Sequence, residues 1–135
     1  MNSRTHIFVV DDENAIASVF ARILRLQGFH ATHFNQPLKA LEAARLEAPD
    51  VLISDVVMPG MSGIDLAAQI WKTYPECKVL LCSGQASSGE LIDSARAAGY
   101  SLNVLQKPVS PSLMLGKIRN LMRAAPLRST LATRV

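Results

Sequence analysis

A chain of 135 residues, of which 49% are hydrophobic types, can build one core and is too short for two folded units of ordinary size. Its formal net charge of +3 does not by itself indicate nucleic acid, and no helix-turn-helix, zinc finger or strand of interleaved basic and aromatic residues accompanies it, so direct nucleic-acid binding is not expected. No apolar run reaches the roughly 18 to 20 residues of a membrane-spanning helix, and no basic segment followed by an apolar one opens the chain, so a soluble, unexported, cytoplasmic protein is expected.

Thr5 to Val10 (THIFVV) reads as a first buried strand. Asp11-Asp12-Glu13-Asn14 follows at once, then Ile16, Val19, Phe20, Ile23 and Leu24 recur at helical spacing until Gly28 supplies a stop. Phe29 to Phe34 alternates weakly and suits an outer strand. Pro37 fits the first turn of a second helix carrying Leu38, Leu41 and Ala44, which Pro49-Asp50 ends. The stretch Val51-Leu52-Ile53-Ser54-Asp55-Val56-Val57-Met58-Pro59-Gly60 then combines the near-continuous apolar run of a strand buried on both faces with one carboxylate and a Pro-Gly turn close behind. Asp55 therefore leaves the strand at the mouth of the sheet, either as a turn residue or as a reactive one.

After Gly60-Met61-Ser62-Gly63, a third helix carries Leu66, Ala67, Ile70, Trp71 and Tyr74 and closes at Pro75. Cys77 to Cys82 (CKVLLC) is a short fourth strand ending in Ser83-Gly84. Its two cysteines lack C-x-x-C spacing and a His cluster, which makes them structural thiols rather than zinc or redox ligands. A helix with a thin apolar face, Leu91, Ile92 and Ala95, spans about Glu90 to Ala98 and stops at Gly99. Leu102 to Leu105 is a fifth strand running into Gln106-Lys107-Pro108. Ser110-Pro111 opens a last helix with Met114, Ile118, Leu121 and Met122 on its inner side. Residues 125–135, with Pro126 and small and basic residues, read as a flexible tail. Lys117, Arg119, Arg123, Arg128 and Arg134 make up much of the positive excess as a solvated helix face and tail, and His6, His30 and His33 are structural or surface residues.

Strict βα alternation predicts a doubly wound parallel sheet, an α/β fold in which ligands bind outside the carboxyl ends of the strands at the switch point of their order. Those ends carry Asp11 and Asp12, Asp55, Ser83, and Lys107. Taken singly, the acid pair is a helix cap, Ser83-Gly84 a turn and Lys107-Pro108 a helix entry. Together, three carboxylates in one cleft repel one another unless a cation intervenes, and magnesium, a hard ion taking oxygen ligands, suits them. Lys107 adds a point charge for an anionic group and Ser83 a hydroxyl, which describes a phosphoryl site where an Asp carboxylate can serve as nucleophile.

In their joint order, Val9-Val10-Asp11-Asp12-Glu13, Asp55-Val56-Val57-Met58-Pro59-Gly60-Met61-Ser62-Gly63, Ser83-Gly84 and Lys107-Pro108 resemble the response-regulator receiver domains of bacterial two-component signalling, over the whole chain except its tail. The resemblance implies a flavodoxin-like five-stranded sheet of order 2-1-3-4-5 with five helices, a receiver over residues 1–124, and a flexible basic tail or truncated linker over 125–135. By the same resemblance Asp55 is the phosphoacceptor, served by a sensor histidine kinase or histidine phosphotransfer protein. Asp12 and Asp55 would be inner-sphere magnesium ligands, with Asp11 acting through a metal-bound water and the backbone carbonyl of Val57 completing the protein ligands. Ser83 and Lys107 would hold the phosphoryl oxygens, while Val57 and Gln85 sit where the family tunes hydrolytic water.

Output would run through protein contacts at the face of helix four, strand five and helix five, without enzymatic turnover beyond self-dephosphorylation. One departure stands out: Val104 occupies the position, three before the Lys, where the family carries an aromatic switch residue. The competing expectations are a receiver-like adaptor that works without phosphorylation and a haloacid-dehalogenase-like phosphatase. The second would need Asp-x-Asp after the first strand, where this chain has Asp11-Asp12-Glu13.

Overall fold

The computed structural model describes residues 4–84 and 88–123 and realises the alternation in full. Strands β1 (His6–Val10), β2 (His30–Phe34), β3 (Val51–Asp55), β4 (Lys78–Ser83) and β5 (Asn103–Gln106) alternate with helices α1 (Asn14–Leu26), α2 (Pro37–Leu46), α3 (Gly63–Thr73), α4 (Ser88–Ala97) and α5 (Pro111–Arg123). All strand pairings are parallel and the spatial order is β2-β1-β3-β4-β5. From the middle of the sheet the chain goes outward to β2, then returns past β1 to β3. That reversal opens a crevice at the carboxyl ends of β1 and β3, the place where doubly wound sheets bind ligands.

The central strands are apolar throughout because both of their faces are covered. Phe8, Val10, Leu52 and Leu81 join Ala40 and Ala44 of α2, Leu66, Ala67 and Ile70 of α3, and Ile92 and Ala95 of α4 in one cluster. The intervening residues Ile7, Val9, Val51, Ile53, Leu80, Cys82 and Leu105 meet Ala17, Ala21 and Leu24 of α1 and Met114 and Ile118 of α5 in the other. Each large aliphatic side chain fully buried here contributes about 1.5–3 kcal/mol relative to an exposed one.

Element limits lie one or two residues from those expected: the fourth and fifth strands each begin and end one residue later, and α4 opens at Ser88 rather than near Glu90. Four apolar residues read as core-facing lie on the surface instead: Val19, Leu38, Leu91 and Met122 are 55, 61, 41 and 39% exposed. The first three have one reason. Helices α1, α2 and α4 meet the sheet through narrow stripes, Ala17-Ala21-Leu24, Pro37-Ala40-Ala44 and Ser88-Ile92-Ala95, whose small residues bring the helix close and leave the rims of each apolar arc in solvent. Met122 lies one turn beyond Ile118, the last buried residue of α5. The expected tail over 125–135, and Gln85, lie outside the described residues.

Candidate functional site

Each chemical group at the mouth is set there by the end of a strand. Asp11 follows β1 directly; its backbone N–H donates to Phe34 O at 3.1 Å and its Oδ1 accepts the Glu13 N–H at 2.9 Å, which fixes the carboxylate. Asp12, next in sequence, is exposed. Asp55 is the last residue of β3 and only 8% exposed. Lys107 directly follows β5 and is joined to Pro108 by a cis peptide, and its N–H donates to Ser83 O at 2.8 Å. Gly84 leaves room for the lysine stem, since a Cβ there would lie 3.0 Å from Lys107 Cδ.

The Lys107 ammonium donates to Asp11 Oδ2 at 3.1 Å and lies 3.2 Å from Asp55 Oδ2, so one cation bridges the two buried carboxylates. Carboxylate oxygens of Asp11, Asp12 and Asp55 all lie within 4.8 Å of one another. Burial is the largest influence on Asp55 and raises its pKa above the ordinary 3.8; Asp11 and Asp12 push the same way, against the opposing pull of Lys107. Burial alone would lower the pKa of Lys107, but its hydrogen bond to Asp11 and the charges of Asp11 and Asp55 outweigh it, and the ammonium is held above its usual value. Three acids against one ammonium leave surplus negative charge in a confined space. A donor set made only of carboxylate oxygens, with one acid open to solvent, fits a hard divalent cation that keeps part of its water.

A cavity of about 170 Å³, lined by Val9, Ile16, Phe20, Ile53 and Met114 among others, opens beside Asp55 and Lys107 on the α1 and α5 face. Cys82 also borders it, and burial pushes that thiol up to about 12, so it is inert as a nucleophile. Both cysteines are buried.

Ser83 is buried at the end of β4, but its hydroxyl is hydrogen-bonded to Ser88 Oγ on the first turn of α4. Ser88, 1% exposed, is the residue that sequence reasoning missed; the Ser87-Ser88-Gly89-Glu90 stretch carries the S-x-x-E helix-start pattern that could have placed it. Val57 is half-buried in the turn after β3. In that turn the Val56 N–H donates to Cys82 O at 3.0 Å and Gly63 N–H donates to Val56 O at 2.8 Å. Val104 pairs with Leu81 and packs half-buried against the α2, α3 and α4 cluster. Tyr100, the aromatic nearest in sequence, stacks instead on Trp71 with ring centroids 5.8 Å apart.

Fold and site together define a doubly wound α/β module with an acidic pocket at its switch point and one lysine set into it. A family model described as the response regulator receiver domain matches residues 7–119. The transcriptional regulatory protein CreB of Escherichia coli is 32% identical over 94% of this chain and 55% of its own length. The response regulator receiver protein CpdR of Brucella abortus is 30% identical over 88% of this chain and 98% of its own. A solved CheY-like receiver domain protein from Methanospirillum hungatei superposes with a TM-score of 0.77 at 28% identity, covering 87% of this chain and 93% of that one. The chain therefore belongs to the response regulator receiver domain family. It spans 31% of the phosphoglycerate transport regulator PgtA of Salmonella typhimurium and about half of CreB, so those proteins hold more than this module. Among the described residues no helix is long and apolar enough to cross a membrane.

Proposed function

We propose that this receiver accepts a phosphoryl group on Asp55 from a phosphohistidine of a sensor kinase or histidine phosphotransfer protein, in the cytoplasm. The observation that carries this reading is the convergence of Asp11, Asp12 and Asp55 within 4.8 Å, with Lys107 bridging two of them at the switch point. A carboxylate oxygen of Asp55 forms the new P–O bond as the P–N bond to the donor histidine breaks, and the imidazole leaves with the bonding electron pair and takes up a proton. Lys107, already 3.2 Å from Asp55 Oδ2, offers its charge to the phosphoryl oxygens, and Ser83 offers its hydroxyl. Asp11, Asp12, Asp55 and the Val57 carbonyl are the groups that would hold magnesium, which when bound offsets the negative charge gathered by acids and phosphate. Attack of water on phosphorus would restore the carboxylate and release inorganic phosphate, the one turnover expected of the module. Downstream contacts would use the α4, β5 and α5 face, where Leu91, Tyr100 and Leu113 are exposed.

The test is incubation with magnesium chloride and acetyl phosphate followed by intact mass measurement. One phosphoryl adduct is expected, absent in Asp55→Asn. A folded protein that stays unmodified under saturating donor would overturn the proposal.

The same reading gives Ser83 a choice of partners. The Ser83–Ser88 hydrogen bond can run in either direction; where Ser83 is the donor, its single proton must leave Ser88 to reach a phosphoryl oxygen, and phosphorylation would then weaken the tie between β4 and the start of α4. That route to an output needs no aromatic at Val104. Ser88→Ala is expected to cost about 1 kcal/mol through the lost buried hydrogen bond, yet to speed phosphorylation by freeing Ser83. Stopped-flow measurement with a small phosphodonor checks it, and a slower or unchanged rate would count against Ser83 as a phosphoryl ligand.

A further inference from the structure

The end of the sheet opposite Asp55 holds a second cluster of ligating side chains. His6 opens β1 and His30 opens β2, and the two are register partners. Their imidazoles stack at 4.4 Å with planes 17° apart. Glu47, the residue that caps the C-terminus of α2, closes over them, and ligating atoms of His6, His30 and Glu47 all lie within 4.8 Å of one another. His6 is the fixed member. Its backbone N–H donates to Asp50 Oδ2 at 2.8 Å, its carbonyl accepts the Asp50 N–H at 2.8 Å, and Phe8 packs edge-on against its ring at 5.0 Å. Yet His6 Nδ1 is buried without a hydrogen-bond partner among the described residues; the Glu47 carboxylate, 3.6 Å away, is too far to supply one. Only 9% of the His6 side chain is exposed, so water does not offset the missing bond.

We propose that His6, His30 and Glu47 form a binding site for a zinc-like divalent transition ion, separate from the acidic pocket. Two imidazoles and one carboxylate are a nitrogen and oxygen donor set that suits zinc and its neighbours, whereas magnesium asks for oxygen alone. Bonds of about 2.0–2.1 Å to a tetrahedral ion require donors roughly 3.4 Å apart, so the group must close by about an ångström. His30 and Glu47 are exposed and able to supply that motion, while His6 stays in place. The stacking must open as they do so, because lone pairs lying in two parallel ring planes cannot meet at one ion. The fourth position faces a concavity of about 210 Å³ bordered by Thr32, Phe34 and Leu46, roomy enough for water or a further ligand. Bound there, the ion would cross-link the edge strand β2, the central strand β1 and the end of α2.

The test is calorimetric titration of the whole chain with zinc chloride in excess magnesium chloride, with melting curves and cobalt(II) visible absorption as second readouts. One zinc per chain is expected, with a rise in melting temperature and cobalt bands of low coordination number. Affinity should fall at least tenfold in His30→Ala and in Glu47→Gln. Both positions are exposed, so these variants keep the fold in a way that replacing buried His6 would not, and circular dichroism confirms it. Zinc affinity unchanged in both folded variants, or zinc binding abolished by magnesium, would overturn the proposal.

Discussion

Gly63→Ala is expected to lower the melting temperature by roughly 10 °C and to slow severely the phosphorylation proposed for Asp55, although alanine is the better helix former. Gly63 is the first residue of α3, and its N–H donates to Val56 O at 2.8 Å, which draws the helix start hard against the end of β3. A Cβ built there would fall 2.1 Å from the carbonyl oxygen of Asp55 and 2.9 Å from Ser54 Oγ. The first of these is backbone of a central strand and cannot swing aside. Either α3 backs away and opens the cluster around Ile64, Leu66 and Met58, or the end of β3 shifts and takes the Asp55 carboxylate from Lys107. Overpacking of this kind costs about 1–3 kcal/mol or somewhat more, and each kcal/mol moves the melting temperature of a chain this size by roughly 3–6 °C. Gly116→Ala is the control: among the described residues nothing lies within 4 Å of a Cβ in the middle of α5, so helix propensity alone should stabilise the fold by up to about 1 kcal/mol. A Gly63→Ala protein as stable as its parent would show that β3 and α3 are not in the contact described.

This pair of glycines also shows what the linear chain does and does not reveal. Periodicity and turn residues were enough for the five strands, the five helices and the acids at the strand ends, because burial on both faces writes continuous apolar runs such as Val51-Leu52-Ile53 into the central strands. The joint motif from Asp11 to Pro108 was enough for the family. Depth was not legible in the same way. Val19 and Leu38 have the spacing of core residues and lie outside because Ala17, Ala21, Ala40 and Ala44 make the actual contacts, and an alanine stripe carries little apolar signal. Pairings across long sequence distance were also silent. Nothing in the local sequence tells that His6 and His30 stack, that Asp50 locks His6, or that the Ser83 hydroxyl meets Ser88. They depend on register and helix placement, which exist only once the sheet has assembled.

Lys107→Ala is expected to destabilise the protein by about 2–3 kcal/mol at neutral pH without magnesium, and by much less in acid. The ammonium lies 3.1 Å from Asp11 Oδ2 and 3.2 Å from Asp55 Oδ2, so its removal leaves two buried carboxylates facing each other. Breaking a fully buried pair costs about 3–5 kcal/mol, and the lower figure follows because the Lys107 side chain is 23% exposed. The fold raises the Asp55 pKa above 3.8, so folding binds this proton more tightly than the unfolded chain does. The stability it contributes is present below the ordinary value and lost as pH rises through the raised one. Deleting Lys107 removes the influences that lower that pKa, which widens the window upward and makes the ionised site costlier. Lys107 itself, raised above 10.5, stabilises throughout this range and is lost only in alkali. Urea unfolding of parent and Lys107→Ala should therefore differ most at neutral pH and less in acid, below the raised Asp55 value. In an Asp55→Asn background the cost of losing Lys107 should fall by roughly half, since Asp11 alone then lacks its partner. An equal cost at neutral and acid pH and in both backgrounds would mean that the lysine acts through packing of its stem, and that the charges at the mouth of this receiver are not coupled as their distances indicate.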